Sequence, residues 1–251
     1  NLYGPNDNFN LETSHVLPAL IRKIHLGKCL EENNWDAIRQ DLNKRPIEGV
    51  NGSNGKDDIL TILAKYGIRI NSSKFEKLAF VGLWGSGAPL REFLWSEEMA
   101  AACVYCMENV DFQDVASTSS AIEGALPEPV ERESPVERIA TLPMVVRNDN
   151  SIRENSPNSC NPSQSVKSVS HIVRNTHINI GTGKEITIKD LAHLIKSKIG
   201  YHGEIVFDTS KPDGTMRKLT DPSKIHALGW HHQIEIEEGV GKLYEWYLSQ
   251  I

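Results

Sequence analysis

The junction between a turn-rich opening and a long helical period constrains this chain more than any other stretch. The opening reads Asn1-Leu-Tyr-Gly-Pro-Asn-Asp-Asn-Phe9 and leads through Ser14-His15 into Val16-Leu-Pro-Ala-Leu-Ile-Arg-Lys23. Gly4 is free to take positive φ, and Pro5 fixes the φ that follows, so Tyr-Gly-Pro and Asn-Asp-Asn read as turns. From Val16 the apolar residues Val16, Leu17, Leu20, Ile21 and Ile24 recur at helical spacing, and Pro18 is tolerated in a first turn. The spacing predicts a helix from Val16 to beyond Cys29, capped by Ser14. His15 then stands at the turn-to-helix junction, where an imidazole at the mouth of a loop suits acid–base chemistry. It is also explained as a polar residue at a helix start.

Further along, the spacing predicts a second helix through Leu42, a surface turn at Asn51-Gly-Ser-Asn-Gly55, and an amphipathic helix over Asp57–Tyr66 stopped by Gly67. Leu78–Trp84 reads as an apolar strand ending in a Gly-Ser-Gly turn. Ala88–Leu94 alternates as a short strand would, with Arg91 and Phe93 on one face. Ser96 is expected to cap a helix carrying Met99, Ala102, Cys103, Cys106 and Met107, its Glu97 and Glu98 favoured by the helix dipole. Cys103-x-x-Cys106 lacks a second pair and is read as two small core residues rather than a metal or redox site. After the break at 111–174, His177-Ile-Asn-Ile-Gly-Thr-Gly183 reads as a short buried strand into a glycine turn. A lone Gly-Thr-Gly is a weak phosphate signal. Thr187 caps a helix over Ile188–Ile199 that ends at Gly200, and Glu204–Asp208 reads as a strand. Pro212-Asp-Gly is a turn with Lys211, Arg217 and Lys218 around it, a charge set suited to a pyrophosphate. A short helix to Leu228, surface residues His231 and His232, and an amphipathic helix from about Ile236 to Leu248 close the chain.

Composition bounds the partners. The formal charge of −6 over 251 residues gives no support for nucleic-acid binding. No apolar run is long enough for a membrane span, and the opening is not a signal peptide. Four scattered cysteines fit a reducing cytosol better than a secreted disulfide scaffold. Hydrophobic residues make up 39%, low enough to imply that part of the chain lies outside any core. Ser, Pro, Glu and Asn accumulate at 111–174, which is expected to be a disordered insertion.

Asn-Leu-Tyr-Gly-Pro followed by Ser-His-Val-x-Pro-Ala-Leu-Ile-Arg, and Ser210-Lys-Pro-Asp-Gly-Thr-x-Arg-Lys-Leu219, resemble the GDP-L-fucose synthases. Met216 replaces the proline usual in the second motif. The resemblance covers most of 1–29, 78–110 and 176–251, and implies the carboxyl-terminal half of an extended short-chain dehydrogenase/reductase. The implied fold class is α/β. Residues 1–28 would be the end of a Rossmann domain and the first substrate-domain helix, and 29–77 a helical insertion without assigned chemistry. Residues 78–110 and 175–251 would form the α/β substrate-binding domain, interrupted by the insertion at 111–174.

The family epimerises GDP-4-keto-6-deoxy-D-mannose at C3 and C5 and reduces C4 with NADPH. By resemblance, His15 is the epimerisation acid and lies by the cofactor, and Asn1 and Leu2 touch the nicotinamide end of NADP(H). Lys23, where arginine is common, would contact the GDP-sugar substrate, as would Trp84, Arg91 and Asp213. Arg217 and Lys218 are added on charge grounds. No metal is implied. The resemblance also implies a cytoplasmic homodimer for the full-length enzyme, with its main dimer helices in the other half. The family's Gly-x-x-Gly-x-x-Gly cofactor turn is read as absent, and no Tyr-x-x-x-Lys pair occurs, so the chain is expected to be an inactive fragment. Two other readings stay open: a nucleotide-sugar 4-epimerase of the same superfamily, and a non-catalytic sugar-nucleotide-binding module.

Overall fold

The computed structural model describes residues 1–72, 77–111, 114–115 and 177–251. The predicted insertion at 111–174 lies almost wholly outside the described residues. The chain divides into two units, 1–107 with 178–251, and 108–177. The architecture below is that of the first.

Helix α1 (Val16–Glu31) is its axis, because it is buried on nearly every side. Leu17, Leu20, Ile21 and Ile24 enter a main core with Ala79, Val81 and Leu83 of strand β3 (Lys77–Trp84). Helices α5 (Ile188–Ile199) and α7 (Ile236–Ser249) complete it with Leu191, Ile195, Val240, Leu243 and Tyr247. On its other side α1 gives Leu26, Cys29 and Leu30 to a second core. That core is filled by Ile38 and Leu42 of α2 (Trp35–Lys44), Ile59 and Leu63 of α3 (Lys56–Lys65), and Ile68 of β2 (Ile68–Ser72). Full burial of each such aliphatic side chain contributes roughly 1.5–3 kcal/mol. The segment expected to be purely helical therefore also adds a strand.

Among the described residues there are three small sheets. In the largest, β3 lies between β2, antiparallel, and β7 (Glu204–Asp208), parallel. In the second, β4 (Leu90–Arg91) lies between β6 (Ile186–Thr187), antiparallel, and β8 (Arg217–Lys218), parallel. In the third, β1 (Leu2–Tyr3) pairs in parallel with β5 (Leu94–Trp95), which leads into α4 (Ser96–Asn109). The predicted caps of α5 are present: the Thr187 side chain accepts from the Asp190 N–H, and Gly200 is left-handed at φ 71°. Helix α6 (Ser223–Ala227) is a single short turn before α7.

Five local expectations are corrected. Ser14 does not cap α1. Its N–H closes a turn onto the Asn10 carbonyl at 2.7 Å, so the chain becomes extended only at His15, which takes the N-cap position without a side-chain capping bond. Residues Ile178–Ile180 form no strand; Ile178 and Ile180 pack instead on Leu94, Ala102, Ile225 and Trp230. Cys103 is exposed rather than core, since α4 turns Ala102 and Cys106 inward. His232 is no surface residue, its side chain being only 8% exposed beside Glu235. Finally, Gly49-Val-Asn-Gly52-Ser-Asn-Gly55 does carry the literal spacing of a cofactor turn. No strand precedes it: it joins α2 to α3 and wraps the Arg39 guanidinium, which donates to the carbonyls of Gly52 and Asn54. A dinucleotide turn needs a strand before it to aim the helix at the phosphates.

Candidate functional site

The alternation of β3 sends Val81 and Leu83 into the main core and turns Phe80, Gly82 and Trp84 to the opposite face of the sheet. Across from them stand Arg69 of β2 and Val206 and Asp208 of β7. This outer face is the floor of a groove of about 970 Å³, lined by Arg69, Phe80, Gly82, Trp84, Val206 and Lys211 among others. Trp84 is 77% exposed in it. The Lys211 ammonium lies over the indole, 5.8 Å from the ring centroid. An exposed indole, an apolar floor and cations on the rim suit a ligand with a planar ring and negative charge.

The turn after β3 is held by Asp213. Its carboxylate accepts the Ser86 N–H at 2.8 Å and the Ser86 hydroxyl at 2.7 Å, and these bonds hold its pKa below the usual carboxylate value. Gly85 is left-handed at φ 83°, and a Cβ there would stand 2.3 Å from Asp213 Oδ1, so only glycine allows this approach. The tie brings the Trp84 strand end and the Pro-Asp-Gly loop together. It does not gather the three predicted cations into one cluster. Lys211 leans on Trp84, whereas Arg217 forms a two-pronged pair with Glu185, its Nε donating at 3.0 and 2.9 Å, which raises its pKa. Lys218 is exposed on β8, in register with Arg91. Arg91 donates to the Leu90 carbonyl at 2.7 Å and does not line the Trp84 groove.

The residues expected near a cofactor lie on the opening loop. Leu2 is 48% exposed and His15 is exposed. The Asn1 amide is already committed to the Glu92 carbonyl at 2.9 Å. Between them, Asn6 is left-handed at φ 64°, and Asp7 Oδ2 and Ser14 Oγ are buried without a hydrogen-bond partner. Burial pushes the Asp7 carboxyl upward. Lys23, half-buried on α1, places Nζ 3.5 Å from the Gly82 carbonyl, and burial lowers its pKa. It is not part of the groove lining.

Two polar centres were not found from sequence. Glu92 is 4% exposed and fills the Gly-Thr-Gly turn: its carboxylate accepts the N–H groups of Thr182 at 2.6 Å, Gly183 at 2.8 Å and Thr220 at 2.9 Å. Burial pushes its pKa up, but the N–H groups of Gly183, Thr220 and Thr182 outweigh it and hold the group below its usual value. The turn that weakly suggested phosphate thus already contains an anion of its own. Arg22 and Asp41 form a fully buried pair at 2.8 Å. Arg22 also donates to the Phe9 and Arg45 carbonyls, and Tyr247 donates to Asp41. A glutamate inside an apolar alternation, and an arginine inside the stripe of α1, were the available signals. Among the described residues no group of His, Cys, Asp and Glu is placed to hold a metal ion. No described helix is long and apolar enough to cross a membrane.

No family model matches the chain. Individual proteins do. The GDP-L-fucose synthase of Escherichia coli (strain K12) is 31% identical over 249 residues, 99% of this chain and 47% of the relative. Among solved structures, a GDP-6-OMe-4-keto-L-xylo-heptose reductase from Campylobacter jejuni is 35% identical with a TM-score of 0.66, covering 100% of this chain and 52% of the other. A GDP-mannoheptose C4 reductase from the same organism, with NADP bound, is 34% identical with a TM-score of 0.63, covering 99% and 51%. The chain thus spans about half the length of the proteins it matches. Its fold is that of the extended short-chain dehydrogenase/reductases, and its sequence is similar to theirs. Within them its curated relatives, at about 30% identity over the whole chain, are GDP-L-fucose synthases.

Proposed function

We propose that the chain is the GDP-sugar-binding part of an NADP(H)-dependent epimerase/reductase of the GDP-L-fucose synthase type, acting on a GDP-4-keto-6-deoxyhexose. The observation that carries this reading is the exposed Trp84 with Lys211 on its face, set in a groove wide enough for a nucleotide. The whole enzyme would be a cytoplasmic homodimer.

In this reading Trp84 stacks on the base. Asp213 stays with Ser86 until substrate hydroxyls compete for it. Lys23, Arg91, Arg217 and Lys218 do not line the groove, so their positive charge would act on the substrate from outside it, Arg217 after leaving Glu185. His15 is the general acid that returns a proton to the sugar during C3/C5 epimerisation, and its exposure leaves the imidazole accessible for that. The opening loop fits the nicotinamide end of NADP(H): Leu2 offers an exposed apolar contact, and the orphaned Asp7 and Ser14 oxygens leave polar capacity unused. Asn1, Leu2 and His15 would hold that end, and the cofactor supplies the hydride for C4. The chain contains no Tyr-x-x-x-Lys pair, and its one Gly-x-x-Gly-x-x-Gly run is the helix–helix turn at 49–55. By itself it is therefore expected to bind a GDP-sugar without oxidising NADPH.

Calorimetric titration of this chain with GDP-mannose tests the reading. Saturable binding that weakens at least tenfold in Trp84→Ala supports it. No binding of GDP-mannose or GDP to the folded chain would overturn it.

A further inference from the structure

The groove has a second end that belongs to the segment between α1 and β3, to which no chemistry had been assigned. Strand β2 pairs with β3 so that Arg69 stands beside Phe80, with Glu204 on the far side of Phe80 in the same row. The next outward row is Gly82 with Val206, and the last is Trp84 with Asp208. Phe80 and Trp84 are four residues apart on one strand, about 13 Å at the usual rise. That span is comparable to the reach from the base to the terminal phosphate of an extended nucleoside diphosphate. Gly82 carries no side chain between them, so the floor dips where a ribose or phosphate would cross.

The charges along this path are unequal in commitment. Lys65 lines the groove but is bound to Glu48 through both carboxylate oxygens. Asp208 is occupied by Ser210, accepting its N–H at 3.1 Å and its hydroxyl at 2.5 Å. Arg69 has only a long 3.4 Å bond from Nε to the Ala64 carbonyl, and among the described residues no carboxylate pairs with it. It is exposed and borders the groove. A guanidinium with unused donors on the rim of the groove is matched by a phosphate, which accepts two parallel bonds from it.

Resting on the nucleotide-sugar reading of the groove, we propose that Arg69 is a binding residue for the diphosphate of the nucleotide. The base lies on Trp84, the chain of the nucleotide runs over Gly82, and the charged end meets β2. The inserted segment is thereby part of the substrate groove and a determinant of its preference for a diphosphate over an uncharged nucleoside.

The test compares GDP with guanosine by calorimetry on this chain, using Arg69→Ala, Arg69→Lys, Gly82→Ala and Trp84→Ala. Arg69 is an exposed side chain, and a Cβ at Gly82 would approach the Gly67 backbone no closer than an ordinary 3.4 Å, so both changes should leave the fold intact, as circular dichroism will check. Arg69→Ala should weaken GDP about tenfold and leave guanosine unchanged, with partial recovery in Arg69→Lys. Gly82→Ala should weaken GDP by its bulk alone. If GDP binds and depends on Trp84 but not on Arg69, the proposal falls and the nucleotide-sugar reading stands. Equal loss of GDP and guanosine in Arg69→Ala would also overturn it, as a distortion of the strand. If the folded wild-type chain binds no GDP, both fall together.

Discussion

The two ends of strand β3's surroundings handle charge in opposite ways. Behind the sheet, beside α1, the fully buried Arg22 pairs with Asp41, which also accepts from Tyr247, and in a separate buried centre Glu92 accepts three backbone N–H groups. On the outer face, Lys211 and Arg69 border the groove without a carboxylate partner among the described residues, and the Asp213 tie to Ser86 is exposed. The first arrangement can only hold the chain together. The second can exchange its internal bonds for bonds to a ligand, because water already screens them and little is lost on opening.

The sharpest break in this contrast is at the buried pair. Asp41→Asn leaves Arg22 charged, fully buried and without its counter-ion, so stability should drop by roughly 3–5 kcal/mol in urea denaturation. A loss of under about 1 kcal/mol would mean that water reaches the pair. The next effect is pH-dependent. His25 is buried on α1, facing Tyr244 with Nδ1 at 3.0 Å and Cys29 with Nε2 at 3.5 Å. Burial lowers its pKa to about 4, against which Asp41 works and with which Lys28, Arg22 and Arg45 act. The neutral ring is the native form, so its contribution is complete above the unfolded value near 6.5 and is lost as pH falls toward 4. The linked loss is about 3 kcal/mol, and His25→Phe should flatten that part of the stability–pH curve. Glu92, also lowered, adds a loss of the same sign at more acidic pH, and that part should persist in the variant.

On the outer face the expectations reverse. Trp84→Ala should cost at least tenfold in GDP-mannose affinity while leaving the denaturation midpoint unchanged, since the indole is 77% exposed. The smallest effect is expected at Asp213→Asn, which keeps one acceptor for Ser86 and removes an exposed charge. Its melting temperature should match the wild type, and any change should appear in substrate affinity alone. A fall in melting temperature as large as that of Asp41→Asn would erase the distinction between the two regions.

The elements that could be read in the sequence are those that carry their own signal. Helix α5 announces itself through Thr187, its apolar period and Gly200, and α1 through the run from Val16, both local properties of the chain. Ser14 failed as a cap because the bond from its N–H to Asn10 is a choice between two turns that composition does not separate. The apolar alternation at Ile178–Ile180 resembled a strand, but a strand exists only if a neighbour supplies the other half of the ladder. At the site, Trp84, Asp213 and the cations were legible as motif residues, while their sorting into committed and uncommitted groups was not. Glu185 for Arg217, Glu92 for the Gly-Thr-Gly turn and Asp41 for Arg22 are partners from distant segments. Arg69 escaped notice because its segment matched no motif, and only the register of β2 on β3 places it in the groove.

The parallel pairing of β3 with β7 joins Phe80 to Glu204 across more than a hundred intervening residues. Thermodynamically such a closure is forgiving, since each doubling of the intervening length adds only about 0.6 kcal/mol of loop entropy. Kinetically it is not, because nothing rewards the search until those two strands meet. The Trp84 groove therefore has no complete floor until this long-range pairing has formed, and ligand binding should report on a late stage of folding rather than on its early helices.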